Sequence, residues 1–189
     1  MTHMLTGEAA YVSESPPDPR LARFEELFTC HHDDVLRYFV RRLDIRADAA
    51  DLVAETFLVA WRRLDDVAAQ EILPWLYGVA RNVLGNHRRG ETRRHGLADR
   101  LRDDLRTAPA AEPAASELHH AAESFRQLSE TDREVLSLVA WEGLDAAQLA
   151  AALGCSPNAA TVRLHRARGR LERLLDNIPY PVPTRGDQS

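Results

Sequence analysis

The chain has 189 residues, 44% hydrophobic and 28% charged, the make-up of a folded globular protein with room for one mid-sized domain or two small ones. No apolar run approaches the roughly 20 residues that span a bilayer, and Met1 to Arg20 lacks the basic start and apolar core of a signal peptide. A cytoplasmic protein without membrane insertion is expected. Cys30 and Cys155 lie far apart and read as free thiols rather than a disulfide framework.

The net charge of −5 conceals segregation along the chain. Asp44 to Glu71 carries seven acids against three arginines, whereas Pro74 to Gly96 and Pro157 to Leu175 each carry five arginines against one glutamate. Blocks of one sign point to charged partners. All 24 basic residues are arginine, which we read as genome composition more than chemistry.

Taken in order, residues 1–20 are polar and proline-bearing and read as a mobile tail. Helical patterning fills 21–96. Residues 97–124 read as a linker, although the last helix has the composition to run on as far as Arg106. The firmest tether is the stretch from Thr107 with its two prolines, Pro109 and Pro113. A second helical block runs from about Glu117 to Ile178, with its domain placed at 125–178. Three prolines then open a short tail at 179–189. No strand alternation of useful length occurs, so the expected fold is all-α: two small helical domains on a flexible linker.

Asp48 to Leu64 predicts a helix with an acidic first turn, favourable to the helix dipole. Ala50, Val53, Phe57, Ala60, Trp61 and Leu64 recur at helical spacing and predict the core face. Asp48, Asp51, Leu52, Glu55, Leu58 and Val59 project from the other side. Leucines among carboxylates suit a basic protein partner, because apolar area supplies binding and charge supplies register. The alternative is a solvated acidic face with stray leucines.

Pro74 predicts the first turn of the next helix, with Leu76, Val79, Ala80 and Val83 as its core stripe. Trp75 and Tyr77, followed by Arg81, Asn82, Asn86, Arg88 and Arg89, suit single-stranded DNA: unstacked bases rest on rings while guanidinium groups grip phosphates. The preceding loop, Asp65 to Leu73, is placed to receive a flipped base. Trp75 reads equally well as a core residue.

The sharpest pattern comes later. Ser129 to Asp132 predicts an N-cap box, Asp145 and Gln148 a second one, and Gly154 a left-handed helix end. Ser156-Pro157 then predicts a cap followed by proline in the first turn. Together they predict a helix-turn-helix. In its last helix Ala160, Leu164, Ala167, Leu171 and Leu174 form the buried stripe. Asn158, Thr161 and Val162 become candidate base readers, Arg163, Arg166 and Arg168 candidate phosphate contacts, and His165 shares their face. The alternative is a structural three-helix module with a solvated arginine face.

DAADLVAETFLVAW, PWLYGVARNVLGNHRR, LSETDREVLSLVAWEGLDAAQLAAALGCS and TVRLHRARGRL, in this order, resemble the extracytoplasmic-function (ECF) sigma factors over residues 21–96 and 125–175. The resemblance implies sigma region 2 and a helix-turn-helix region 4 on core RNA polymerase. Asp48, Asp51, Leu52, Glu55 and Leu58 would dock on the clamp helices of the largest subunit. Trp75, Tyr77, Arg81, Asn82, Asn86, Arg88 and Arg89 would hold the −10 element. Asn158, Thr161, Val162, Arg163, His165, Arg166 and Arg168 would read the −35 element. It also implies contact with the polymerase flap region and control by an anti-sigma factor. Thr161 and Val162 stand where that family often has lysine and serine, so the −35 preference does not transfer.

No catalytic residue, metal or cofactor is expected. Cys30-His31-His32-Asp33-Asp34 prompts a metal-dependent phosphohydrolase, but such a site needs further ligands on neighbouring helices. A helix-turn-helix regulator that ignores polymerase has no use for the acidic-apolar helix. A decoy that binds polymerase without starting transcription stays open on sequence.

Overall fold

A computed structural model describes residues 18–43, 47–66, 72–98 and 117–176, with the side chains of 94–98 and 117–119 left aside. Residues 1–17 and 177–189, most of the linker and residues 67–71 of the Asp65 to Leu73 loop lie outside the described residues. All regular structure among the described residues is helical.

Three helices build the first unit. α1 (Pro19–Val40) starts two residues earlier than the periodicity suggests, because the Asp18 carboxylate accepts from the Arg20 N–H at 2.9 Å and Pro19 fits the first turn. α2 (Asp48–Arg62) ends in a short 3₁₀ turn, Leu64–Asp66. α3 (Ile72–Ala98) starts two residues before Pro74. Leu27, Val35, Phe39, Val53, Phe57, Leu76 and Val83 fill the space between them. Thr56 is fully buried in this core and is satisfied by donating to the Leu52 carbonyl at 2.7 Å. Ala50, expected inside, is exposed, while Ala49 is buried in its place. Phe24, Phe28, Phe57 and Trp61 stack edge-on at one end, with centroids 4.8–6.4 Å apart.

The second unit contains α4 (Glu117–Gln127), α5 (Glu130–Ala140), α6 (Ala146–Leu153) and α7 (Pro157–Asp176). Its turns follow the expected chemistry. Ser129 accepts from the Asp132 N–H, and Asp145 and Gln148 form a reciprocal capping box. Gly154 adopts φ +62° and ends α6, and Gly143 at φ +70° makes the turn before it. α4 begins inside the stretch read as linker and packs on α7.

The two units pack against each other, α3 on α6. Gly78 permits the close approach: a Cβ there would stand 2.9 Å from the Ala152 carbonyl oxygen. The buried apolar residues of the two units form one continuous cluster, and polar contacts join them as well. Arg42 reaches Glu134 at 3.0 Å and Glu142 at 2.8 Å, with its side chain 5% exposed and Glu142 3% exposed. Arg88 pairs with Glu130 and donates to the Arg42 carbonyl at 3.0 Å.

Candidate nucleic-acid and partner interfaces

α7 presents an outward face along its length. Ala160 and Ala167 are fully buried and Leu164, Leu171 and Leu174 half-buried, so the predicted stripe seats the helix. Its register is fixed by Arg170, which donates to the buried Asp132 carboxylate of α5 at 2.6 Å. Asn158, Thr161, Val162, His165 and Arg166 consequently point to solvent together. Arg163 and Arg168, also exposed, turn to opposite edges. Arg163 borders the cleft towards α3 and α5, and Arg168 borders an apolar groove on the α4 side. The Thr161 hydroxyl donates to the Pro157 carbonyl at 2.9 Å, so towards a base it acts as an acceptor.

α3 divides its candidates. Trp75, Asn82, Asn86 and Arg89 recur at i, i+7, i+11 and i+14 and share one face, with Trp75 half-buried and the others exposed. The Arg63 guanidinium lies 5.9 Å over the Trp75 ring. Arg81 and Arg88 occupy the neighbouring face against the second unit, Arg81 donating to the Ala152 carbonyl at 3.4 Å. Tyr77 does not join either surface. It is 3% exposed, with its ring 5.7 Å from that of Tyr38, and a ring so enclosed cannot stack on a base. Burial, with the negative charge of Glu142 nearby, pushes its phenol up to about 12. Burial, then Glu134, which accepts its hydroxyl at 2.8 Å, raises Tyr38 well above the ordinary tyrosine range.

On α2, Asp51, Glu55 and Leu58 form an exposed row at i, i+4 and i+7, Leu58 being 49% exposed. Leu52 belongs to the core instead, 5% exposed. α2 is covered by both α1 and α3, so the buried arc is wider than the apolar stripe suggests. Asp48 is half-buried and faces His87.

One surface was not read from sequence. Phe125, Leu136, Val139, Trp141, Leu171 and Leu175 line a groove of about 620 Å³ between α4, α5 and α7. Its signal is the spacing of Ala121, Phe125 and Leu128, hidden because α4 sits beside the prolines of the presumed tether.

Two helical units, one bearing a capped helix-turn-helix with an exposed face on its last helix, define a DNA-binding protein of the transcription machinery. The chain matches Sigma-70 region 2 over residues 27–94 and Sigma-70 region 4 over residues 122–171. It is 32% identical to the RNA polymerase sigma factor CarQ of Myxococcus xanthus, across 84% of this chain and 92% of CarQ. It is 30% identical to the ECF RNA polymerase sigma factor SigL of Mycobacterium tuberculosis, across 83% of this chain and 91% of SigL. Its fold resembles that of the sigma factor RpoE of Bartonella quintana, solved with the anti-sigma factor NepR, with TM-score 0.58, 24% identity, and coverage of 82% of this chain and 98% of RpoE. The chain belongs to the sigma-70 family, in its ECF branch. No helix among the described residues is long and apolar enough to cross a membrane.

Proposed function

We propose that the chain joins core RNA polymerase in the cytoplasm and directs it to promoters, acting by binding without chemistry of its own. The observation that carries this reading is the exposed α7 face, held in fixed register by two helix caps and the Arg170–Asp132 pair. Asn158, Val162 and His165 read bases of the −35 element, Thr161 supplies an acceptor, and Arg163, Arg166 and Arg168 meet phosphates across its width. Trp75, Asn82, Asn86 and Arg89 hold the −10 element, and Arg81 and Arg88 join them once the second unit moves away. Asp51, Glu55 and Leu58 dock on the clamp helices of the largest subunit, with Asp48 at the edge of that surface. The apolar groove of the second unit receives the polymerase flap region. An anti-sigma factor holds the chain in check, a reading supported by the likeness in fold to RpoE, which was solved with such a factor.

Run-off transcription with purified core polymerase on a panel of promoter fragments tests the reading. Specific transcripts appear only when the protein is added, and Asp51→Arg with Glu55→Arg weakens polymerase binding at least tenfold with helical content unchanged. Unaltered affinity would remove α2 from the interface, and absence of any binding to core would overturn the function.

A further inference from the structure

Asp48 opens α2, and His87 and Glu91 lie one turn apart on α3, where i and i+4 side chains meet. The three donor groups converge within 4.8 Å of one another, the one such cluster among the described residues. His87 Nε2 lies 3.5 Å from Asp48 Oδ2 and 3.5 Å from Glu91 Oε2. The nitrogen is closed off from solvent, yet it makes no hydrogen bond to either carboxylate. The Cys30–Asp34 run that suggested metal from sequence is not gathered in this way. There His32 contacts Asp33 at 3.0 Å and His31 lies 3.8 Å from Asp34.

The spacing discriminates between two arrangements. An imidazole N–H donating to a carboxylate settles near 2.9–3.0 Å. Donors around one tetrahedral ion with bonds of about 2.0–2.1 Å stand roughly 3.3–3.4 Å apart. The two nitrogen–oxygen separations are close to the second case, and the carboxylate oxygens, within 4.8 Å of each other, draw together around an ion. A neutral imidazole with two carboxylates also balances the charge of a dication. Nitrogen and oxygen donors together suit zinc better than calcium or magnesium, which prefer oxygen alone. We propose that Asp48, His87 and Glu91 bind a divalent transition-metal cation, Zn²⁺ fitting best, with water as fourth ligand. The ion staples the first turn of α2 to α3. Asp48 is shared with the edge of the proposed polymerase surface, whereas His87 and Glu91 are not, so their variants test this site apart from that role.

The test uses the full-length chain, freed of metal by chelator and titrated with Zn²⁺ by calorimetry. Co²⁺ serves as a spectroscopic probe of tetrahedral coordination. The wild type shows one tight Zn²⁺ site, visible absorption with Co²⁺, and a melting temperature raised by Zn²⁺. Asp48→Asn, His87→Gln and Glu91→Gln each weaken Zn²⁺ at least tenfold and abolish both the absorption and the thermal shift. If His87→Gln fails to fold, Glu91→Gln still decides, because its side chain is 36% exposed and removing its charge disturbs little packing. Equal Zn²⁺ affinity in the wild type and all variants would assign binding to other histidines and overturn the site. No Zn²⁺ binding by the wild type would overturn it too.

Discussion

The guanidinium of Arg42 lies 3.7 Å over the Tyr38 ring and between the carboxylates of Glu134 and Glu142. Burial alone would lower its pKa, but Glu134, the Tyr38 oxygen and Glu142 more than offset this, so the charge is secure. Truncating one partner of a buried ion pair leaves the others uncompensated and typically costs about 3–5 kcal/mol. Arg42→Ala is therefore expected to drive the two units apart. Cys30 lies in the first unit and Cys155 in the second, so spin labels on these native thiols report it: one narrow distance distribution in the wild type, a longer and broader one in the variant. An unchanged distribution would deny Arg42 this role. Tyr77 gives a pH-dependent counterpart. Its folded pKa, about 12, lies above the ordinary value of 10.0, so its contribution is intact below pH 10 and is lost as pH rises towards 12. Alkaline titration followed by circular dichroism should show stability falling in that window, and less steeply in Tyr77→Phe. Sequence periodicity placed Tyr77 beside Trp75 but could not show its partner, because Tyr38 is distant in the chain. Contacts of that kind carry no local signature.

α6 and its two turns show where local chemistry is enough. The Asp145 side chain accepts from the N–H groups of Ala147 and Gln148, both at 2.8 Å, and Asp145→Ala should cost about 1 kcal/mol. Gly154→Ala forces a β-carbon into the left-handed region and should cost about 1–2 kcal/mol. Both follow from thermal melts, and both should weaken −35 binding through the seating of α7 rather than through lost contacts. Melting temperatures equal to wild type would show that the turns are held by the surrounding packing alone. These caps were legible because they use fixed residue types at fixed offsets, and the buried stripe of α7 was legible from its period. Leu52 was not: periodicity locates the centre of a buried arc, whereas its width depends on how many helices close over it. The helical block was read from Glu117, where α4 begins, but the groove was hidden for a related reason, since the apolar face of α4 becomes meaningful only beside α7.

At the scale of the molecule, the two units are docked while their proposed targets are far apart. Elements centred near −10 and −35 are separated by about 85 Å of duplex at 3.4 Å per base pair. The 18 residues from 99 to 116 span at most about 65 Å when extended, and the units themselves supply the remaining reach only after they part. Docking also engages Arg81 and Arg88, two of the proposed −10 contacts, in bonds to the second unit. Gly78 is the point at which this can be probed without touching a charge, because a side chain there meets the Ala152 backbone. Gly78→Leu should lengthen and broaden the Cys30–Cys155 distance distribution, keep α3 helical, and raise the affinity for core polymerase. Unchanged affinity would mean that docking does not compete with polymerase. The contact combines buried ion pairs and a close glycine approach with a shared apolar cluster, and its opening has a thermodynamic consequence. If polymerase binds only the separated conformer, its apparent dissociation constant is the intrinsic one divided by that conformer's population. At about one separated molecule in a hundred, apparent affinity is lower by about 2.7 kcal/mol. Any ligand that prefers the docked conformer then excludes polymerase by linkage alone, without sharing a single contact residue with it.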